Sequence, residues 1–256
     1  MNLIIKGFII GVAKILPGIS GSVLAISMGE YKNIISSFNN LKNKDNVFYL
    51  FKVLIGLLLS IVLVSKFLFK YIDIYKFYMF SFFVGLILGT IPKMVFKINK
   101  NNYYMIIIGF VSLSLISLIR FDYIFPIYLS GFLNGVIESI STIVPGISGT
   151  AIMTNLGLYK VYLFGWSNMF DYSLFVSNLA YFVPFLISVF ITSIILLKLF
   201  YYFYLRYENK FDGLILGFVI ASISLLLKNI SIFSNIFIFI IFLVIGFIIS
   251  YFLDKI

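Results

Sequence analysis

Apolar residues run along this chain in long blocks separated by short polar stretches, and six blocks read as membrane crossings, the one at 213–227 being short and either starting earlier or lying tilted. A hydrocarbon layer of ~30 Å takes about 20 helical residues. The blocks fall at 47–69, 77–96, 103–119, 174–200, 213–227 and 232–253. Two further apolar stretches are interrupted. Residues 3–16 run into Pro17-Gly18 and resume as a short piece, 22–28, while 124–144 run into Pro145-Gly146 and resume at 150–156. The leg 3–16 would be about 21 Å long as a helix, too short to cross. The pattern therefore predicts a re-entrant hairpin: a helix in, a turn at depth and a half-helix out. Irregular backbone of this kind survives in a bilayer only where protein or a water-filled cavity surrounds it. The leg 124–144 is long enough to span, and its re-entry is expected from its likeness to the first.

That likeness is a repeat. Pro17-Gly18-Ile19-Ser20-Gly21-Ser22 returns 128 residues later as Pro145-Gly146-Ile147-Ser148-Gly149-Thr150. At the same offset Gly29-Glu30-Tyr31 returns as Gly157-Leu158-Tyr159, and Gly85-Leu86-Ile87-Leu88-Gly89 as Gly213-Leu214-Ile215-Leu216-Gly217. The expected architecture is an all-α polytopic membrane protein of two repeats, 1–123 and 124–256, integrated into one transmembrane domain. Each repeat would be a re-entrant broken-helix hairpin plus three transmembrane helices. Three crossings per half turn the second repeat upside down relative to the first, the inverted geometry of many secondary transporters.

Loop charge chooses between re-entry and spanning. With both hairpins re-entrant, the N-terminal side carries Lys32, Lys42, Lys44, Lys93, Lys97, Lys100, Lys198, Arg206, Lys210 and Lys255. The other side carries Lys66, Lys70, Lys76, Arg120, Lys160 and Lys228, a split of ten to six. With both stretches spanning, the split is eight to eight. The positive-inside rule favours re-entry with both termini cytoplasmic. No cleavable signal is expected, because the N-terminal run contains Lys6 and Lys14 and leads into the first motif.

Composition narrows the chemistry. Hydrophobic residues make up 62% of the 256 and charged ones 11%, with mean hydropathy +1.13; a soluble domain carries about 25% charged residues. Net charge is +10, but the bases sit in loops between apolar runs, where they meet anionic lipid headgroups rather than nucleic acid. The absence of cysteine removes disulfides and thiolate metal sites, and the absence of histidine removes the commonest general base. No cofactor, metal or catalytic residue is expected.

The repeated turn is where chemistry is concentrated. Proline stops the incoming helix and glycine lets the backbone reverse. Ser20 or Gly21, and Ser148 or Gly149, then sit where an N-cap belongs for the outgoing half-helix. Backbone N–H groups at such a start, with the helix dipole behind them, attract an anion. Pro17, Gly18, Ser20, Gly21 and Ser22, with Pro145, Gly146, Ser148, Gly149 and Thr150, are the candidate binding residues. Lys14, three residues before Pro17, supplies a point charge. Glu138, seven before Pro145, is either a proton carrier coupling transport to a gradient or the structural ion-pair partner of Lys14. Intramembrane charges are costly and mark function by default. The spaced glycines at 85 and 89 and at 213 and 217 read instead as close helix packing.

These residues resemble the bacterial polyprenyl-phosphate transporter family across the whole chain: paired Pro-Gly-Ile-Ser-Gly-Ser/Thr turns, each followed by Gly-x-Tyr, with a repeated Gly-Leu-Ile-Leu-Gly. The resemblance implies return of undecaprenyl phosphate, the carrier lipid of envelope synthesis, across the cytoplasmic membrane of a bacterium. The chain departs from the family's pattern at Lys14, where an acidic residue is common. It departs again at Gly21-Ser22-Val23, where a second glycine and a threonine are usual. Two other functions remain open: an undecaprenyl-diphosphate phosphatase and a small-anion channel or carrier. The phosphatases resemble this chain in a Pro-Gly-x-Ser turn, but theirs continues Ser-Arg-Ser where Gly21 and Gly149 stand here.

Overall fold

The computed structural model describes residues 2–17, 21–95, 98, 102–116, 118, 125–228, 230 and 235–253. Among these residues the chain is helical and has no strand. Asn2 caps α1 (Leu3–Ile15) by accepting the Ile4 N–H at 3.1 Å. The helix stops one residue before Pro17, and the short α2 (Gly21–Ser27) and α3 (Tyr31–Asn39) follow. Next come α4 (Lys44–Tyr71), α5 (Lys76–Val95) and α6 (Tyr104–Ile116). The order then recurs: α7 (Ile127–Ile143) stops short of Pro145, with α8 (Gly149–Asn155) and α9 (Tyr159–Ser167) behind it. The chain ends in α10 (Phe175–Leu227) and α11 (Ile236–Leu253).

The blocks expected at 174–200 and 213–227 are two helical stretches within α10, joined at a kink. Their connection contains no glycine or proline from Phe200 to Asp212, and the helical backbone is interrupted at Tyr207 alone (φ −134°, ψ 31°). Segments Lys44–Tyr71, Asn178–Leu199 and Lys210–Leu227 are long and apolar enough to cross a membrane, and four shorter apolar helices accompany them.

Glycine seams join the helices in pairs. A Cβ at Gly7 or Gly11 of α1 would overlap α4 at the carbonyls of Val53 and Leu57, and one at Gly131 or Gly135 of α7 would overlap α10 at Tyr181 and Phe185. The second glycine motif packs as expected. Gly85 and Gly89 of α5 lie against Leu243 and Phe247 of α11, and Gly213 and Gly217 of α10 lie against Asn102 and Ile106 at the start of α6. With no hydrophobic gain between helices already in lipid, close backbone approach is what fastens such pairs. These last two pairings cross between the halves, since α5 takes its partner from the second half and the end of α10 takes its partner from the first.

Gly29 and Gly157 explain the Gly-x-Tyr motif. Both have positive φ, 71° and 75°, at the ends of α2 and α8, and the next residue's N–H returns to a helix carbonyl: Glu30 to Ala25 and Leu158 to Met153, each at 2.8 Å. This is the glycine C-cap. The tyrosine that follows starts the next helix.

Candidate functional site

Both helix breaks arrive at one place. Proline at position 145 has no N–H, so the carbonyl of Ser141, four residues back, loses its helical donor. The Ser22 hydroxyl, from the first half, donates to that carbonyl at 3.3 Å. The Thr150 hydroxyl donates in the opposite direction to Leu16 at 3.2 Å. The two motif tyrosines cross likewise. Tyr31 donates to the Ile143 carbonyl at 3.1 Å and Tyr159 to the Ile15 carbonyl at 2.7 Å. Donor and acceptor are both displaced by 128 residues between these bonds. Each half thus caps the carbonyl end of the other half's broken helix.

Beside this crossing Lys14 Nζ lies 2.5 Å from Glu138 Oε1, with both side chains 11% exposed. The Lys14 ammonium also donates to the Thr142 hydroxyl at 2.6 Å, which donates to the Glu138 backbone carbonyl at 2.6 Å. The buried Tyr162 hydroxyl donates to Glu138 Oε2 at 3.2 Å. Glu138 is thus ion-paired with Lys14 in this structure. Thr142 is exposed, so the pair borders an opening.

Gly21 begins α2 beside the lysine: a Cβ there would lie 2.5 Å from Lys14 Cγ. On the other side, a Cβ at Gly149 would lie 2.5 Å from Ser141 Oγ. Ser148 is the N-cap of α8, its hydroxyl accepting the Ala151 N–H at 3.3 Å and lying 3.4 Å from Thr150 Oγ1. Gly146 takes positive φ (87°). Pro17, Ser22 and the whole run 145–150 are buried. Gly18 and Ser20 lie outside the described residues. The hydroxyls of Ser22 and Thr150, expected to face an anion, spend a hydrogen on carbonyls, because the cut helix ends lie within reach. Tyr31, Tyr159 and Tyr162 were not among the sequence-predicted site residues. For the first two the signal was present in the repetition of Gly-x-Tyr.

A second polar cluster ties the start of α1 to the start of α3. Lys6 pairs with Glu30, which also accepts from Tyr49 at 2.5 Å and Asn33 at 3.4 Å. Burial pushes the Glu30 carboxyl up, but those hydrogen bonds and the Lys6 charge outweigh it and hold the pKa below the ordinary glutamate range. A cavity of about 290 Å³ at the bend of α10, lined by Met105, Tyr207, Lys210, Phe211 and Leu214, contains none of the Pro-Gly turn residues. No group of acidic residues suited to a metal ion occurs among the described residues.

The profile of the undecaprenyl phosphate translocase-like family matches residues 36–177, more than half of the chain and including the second Pro-Gly turn. The chain belongs to that family. It is similar to the polyprenyl-phosphate transporter of Staphylococcus aureus, 26% identical over 99% of this chain and 95% of that protein. It is also similar to the polyprenyl-phosphate transporter of Vibrio cholerae, 24% identical over 62% of this chain, and there the match spans only 58% of the relative's length. No solved structure matches. Family and apolar helices together make this a multi-pass membrane protein.

Proposed function

We propose that the chain is a flippase that returns undecaprenyl phosphate across the bacterial cytoplasmic membrane for reuse in envelope synthesis. The relatives' names support a polyprenyl-phosphate cargo. The observation that carries the reading is the meeting of two proline-broken hairpins around a buried lysine. A lipid phosphate keeps its tail in the bilayer, but moving its bare charge through hydrocarbon would cost on the order of tens of kcal/mol. In this reading the headgroup replaces the Glu138 carboxylate as the partner of Lys14. The turns at Pro17, Gly18, Ser20, Gly21 and Ser22 and at Pro145, Gly146, Ser148, Gly149 and Thr150 close around it. Glu138, once released, is the group placed to take up a proton. The tail stays in lipid through a lateral opening, and the loaded site faces one leaflet and then the other.

Two re-entrant, mutually inverted repeats, 1–123 and 124–256, supply the alternation. Three facts support that arrangement. The Lys6–Glu30 pair puts both ends of the first hairpin together. The Lys160–Asp73 pair, 2.7 Å, joins the end of the second hairpin to the α4–α5 turn, a contact that favours re-entry. The helix pairings and tyrosine braces recur between halves. The charge bias favours cytoplasmic termini.

The test is translocation of a polyprenyl phosphate in reconstituted vesicles. Lys14→Met should abolish it while the protein remains folded and inserted, and unchanged transport would remove the site. In cells, depletion should raise carrier-lipid phosphate on the outer surface. Phosphate release from undecaprenyl diphosphate by the purified protein would make it an enzyme instead.

A further inference from the structure

The two halves are alike at the crossing but differ at their edges. On α9 the face made by Tyr159, Tyr162, Leu163 and Trp166 is buried. The residues 128 earlier, Tyr31, Ile34, Ile35 and Phe38 on α3, form an equally apolar face, yet Phe38 is 52% exposed where Trp166 is 6%. The α9 helix lies against the C-terminal end of α4, where the Phe69 and Phe164 rings are 5.6 Å apart and Lys160 pairs with Asp73. The α3 helix packs on α2 and on the start of α4 and, among the described residues, has no extended contact with the first half of α10.

The missing contact leaves a mark on both surfaces. Toward the end of α4 that meets α9, Ile61, Val62, Ser65 and Leu68 are buried. Their counterparts on α10, Val189, Phe190, Ser193 and Leu196, are not, and Phe190 is 68% exposed against 8% for Val62. Nearer the glycine seams the helices agree, for Val53 and Tyr181, and Ser60 and Ser188, are all buried. So the α3 face and the end of the first half of α10 each lack the partner that their counterparts have.

We infer that α3 and α9 are alternating gates and that the structure is the state closed at α9 and open at α3. The gap between α3 and the first half of α10 is then the lateral portal through which an isoprenoid phosphate passes between Lys14 and the N-terminal side's leaflet. In the opposite state the Tyr31-Ile34-Ile35-Phe38 face docks on Phe190, Ser193 and Leu196, and α9 leaves α4. The exposure of Thr142, which accepts from the Lys14 ammonium, fits an opening beside the ion pair. A ligand that binds one state better shifts the pair of states by its differential affinity. The inference rests on the proposed alternating transport, but its gating part can be read without any substrate.

The chain has no cysteine, so introduced pairs report without background. Phe69→Cys with Phe164→Cys reports the present state, and the counterpart pair, Ser36→Cys with Leu197→Cys, reports the opposite one. Each is treated in proteoliposomes with a short, reducible bifunctional thiol reagent. The first pair should bridge readily, the second should bridge in a fraction of molecules, and a short-chain polyprenyl phosphate should change the two in opposite directions. Either bridge should stop translocation until reduced. Failure of the 36/197 pair to bridge in protein that transports, bridging only between two chains, or undiminished transport by the bridged 69/164 protein would each overturn the gates. If the two bridges exchange but polyprenyl phosphate neither shifts them nor moves, the gates stand and the cargo reading falls.

Discussion

Cutting the Lys14–Glu138 pair from one side should destabilise the protein far more than removing both charges. At an effective dielectric constant of about 20, unit charges 2.5 to 4 Å apart attract by roughly 4–7 kcal/mol. Taking each ion out of water costs several kcal/mol, so the intact pair is worth little net, but a lone buried charge keeps its cost without the return, a penalty of about 3–5 kcal/mol. The surroundings leave little room for rescue: both side chains are 11% exposed, and the other contacts are the hydroxyls of Thr142 and Tyr162. Glu138→Gln strands the ammonium and Lys14→Met strands the carboxylate. Each single variant should lose about 3–5 kcal/mol of unfolding free energy in mixed micelles titrated with a denaturing detergent. The double variant leaves no charge buried and should lose less than either single variant, so the two single losses should be far from additive. Additive single losses below ~0.5 kcal/mol, the range of surface changes, would mean that the charges do not face each other in the folded protein.

Three further outcomes follow from the packing. Tyr159→Phe leaves the Ile15 carbonyl without its 2.7 Å donor in a buried site and should cost about 1–3 kcal/mol in the same titration; no loss would mean the brace is absent. Gly7→Ala and Gly131→Ala each push a Cβ into a facing backbone carbonyl and should cost about 1–3 kcal/mol, and unaltered stability would refute the close approach. The depressed pKa of Glu30 makes its contribution full at neutral pH, above the unfolded value near 4.5, and lost as pH falls through the folded value. Stability should therefore decline below about pH 4.5 in the parent, and Glu30→Gln should flatten that decline; an equal decline in both would rule the cluster out as its source.

Helix positions were legible because proline and long apolar blocks act locally. The ends of α1 and α7 follow from Pro17 and Pro145, and the half-helices 22–28 and 150–156 appear as Gly21–Ser27 and Gly149–Asn155. That the two stretches of α10 meet at a kink rather than through a loop was not legible, because a polar stretch reads as a loop unless its want of glycine and proline is given weight. At the site, Lys14 and Glu138 stood out because charge is rare in apolar helices. That they touch is a fact of tertiary structure, since 124 residues separate them. Tyr31 and Tyr159 escaped notice because tyrosine is abundant here, 18 in all, and only their recurrence after glycine set them apart.

The same bonds that close the fold also bound the site, and this constrains how the protein can move. Ser22 on Ser141, Thr150 on Leu16, Tyr31 on Ile143 and Tyr159 on Ile15 all run between halves, and all end on carbonyls freed by a proline break. Neither half satisfies its own broken helix by these bonds, and α5 and α6 find their glycine-seam partners in the other half. Large separation of the halves would leave buried carbonyls bare at ~1–3 kcal/mol each. Motion that preserves those bonds is cheaper, and it must be sought in elements held more loosely. The α3 helix beyond its anchoring Tyr31, exposed along an apolar face, is such an element, and α9 beyond its anchoring Tyr159, which meets the end of α4 through an exposed ion pair and the Phe69–Phe164 ring contact, is its counterpart. A fixed centre with moving edges is the mechanical consequence of repairing two cut helices with each other's side chains.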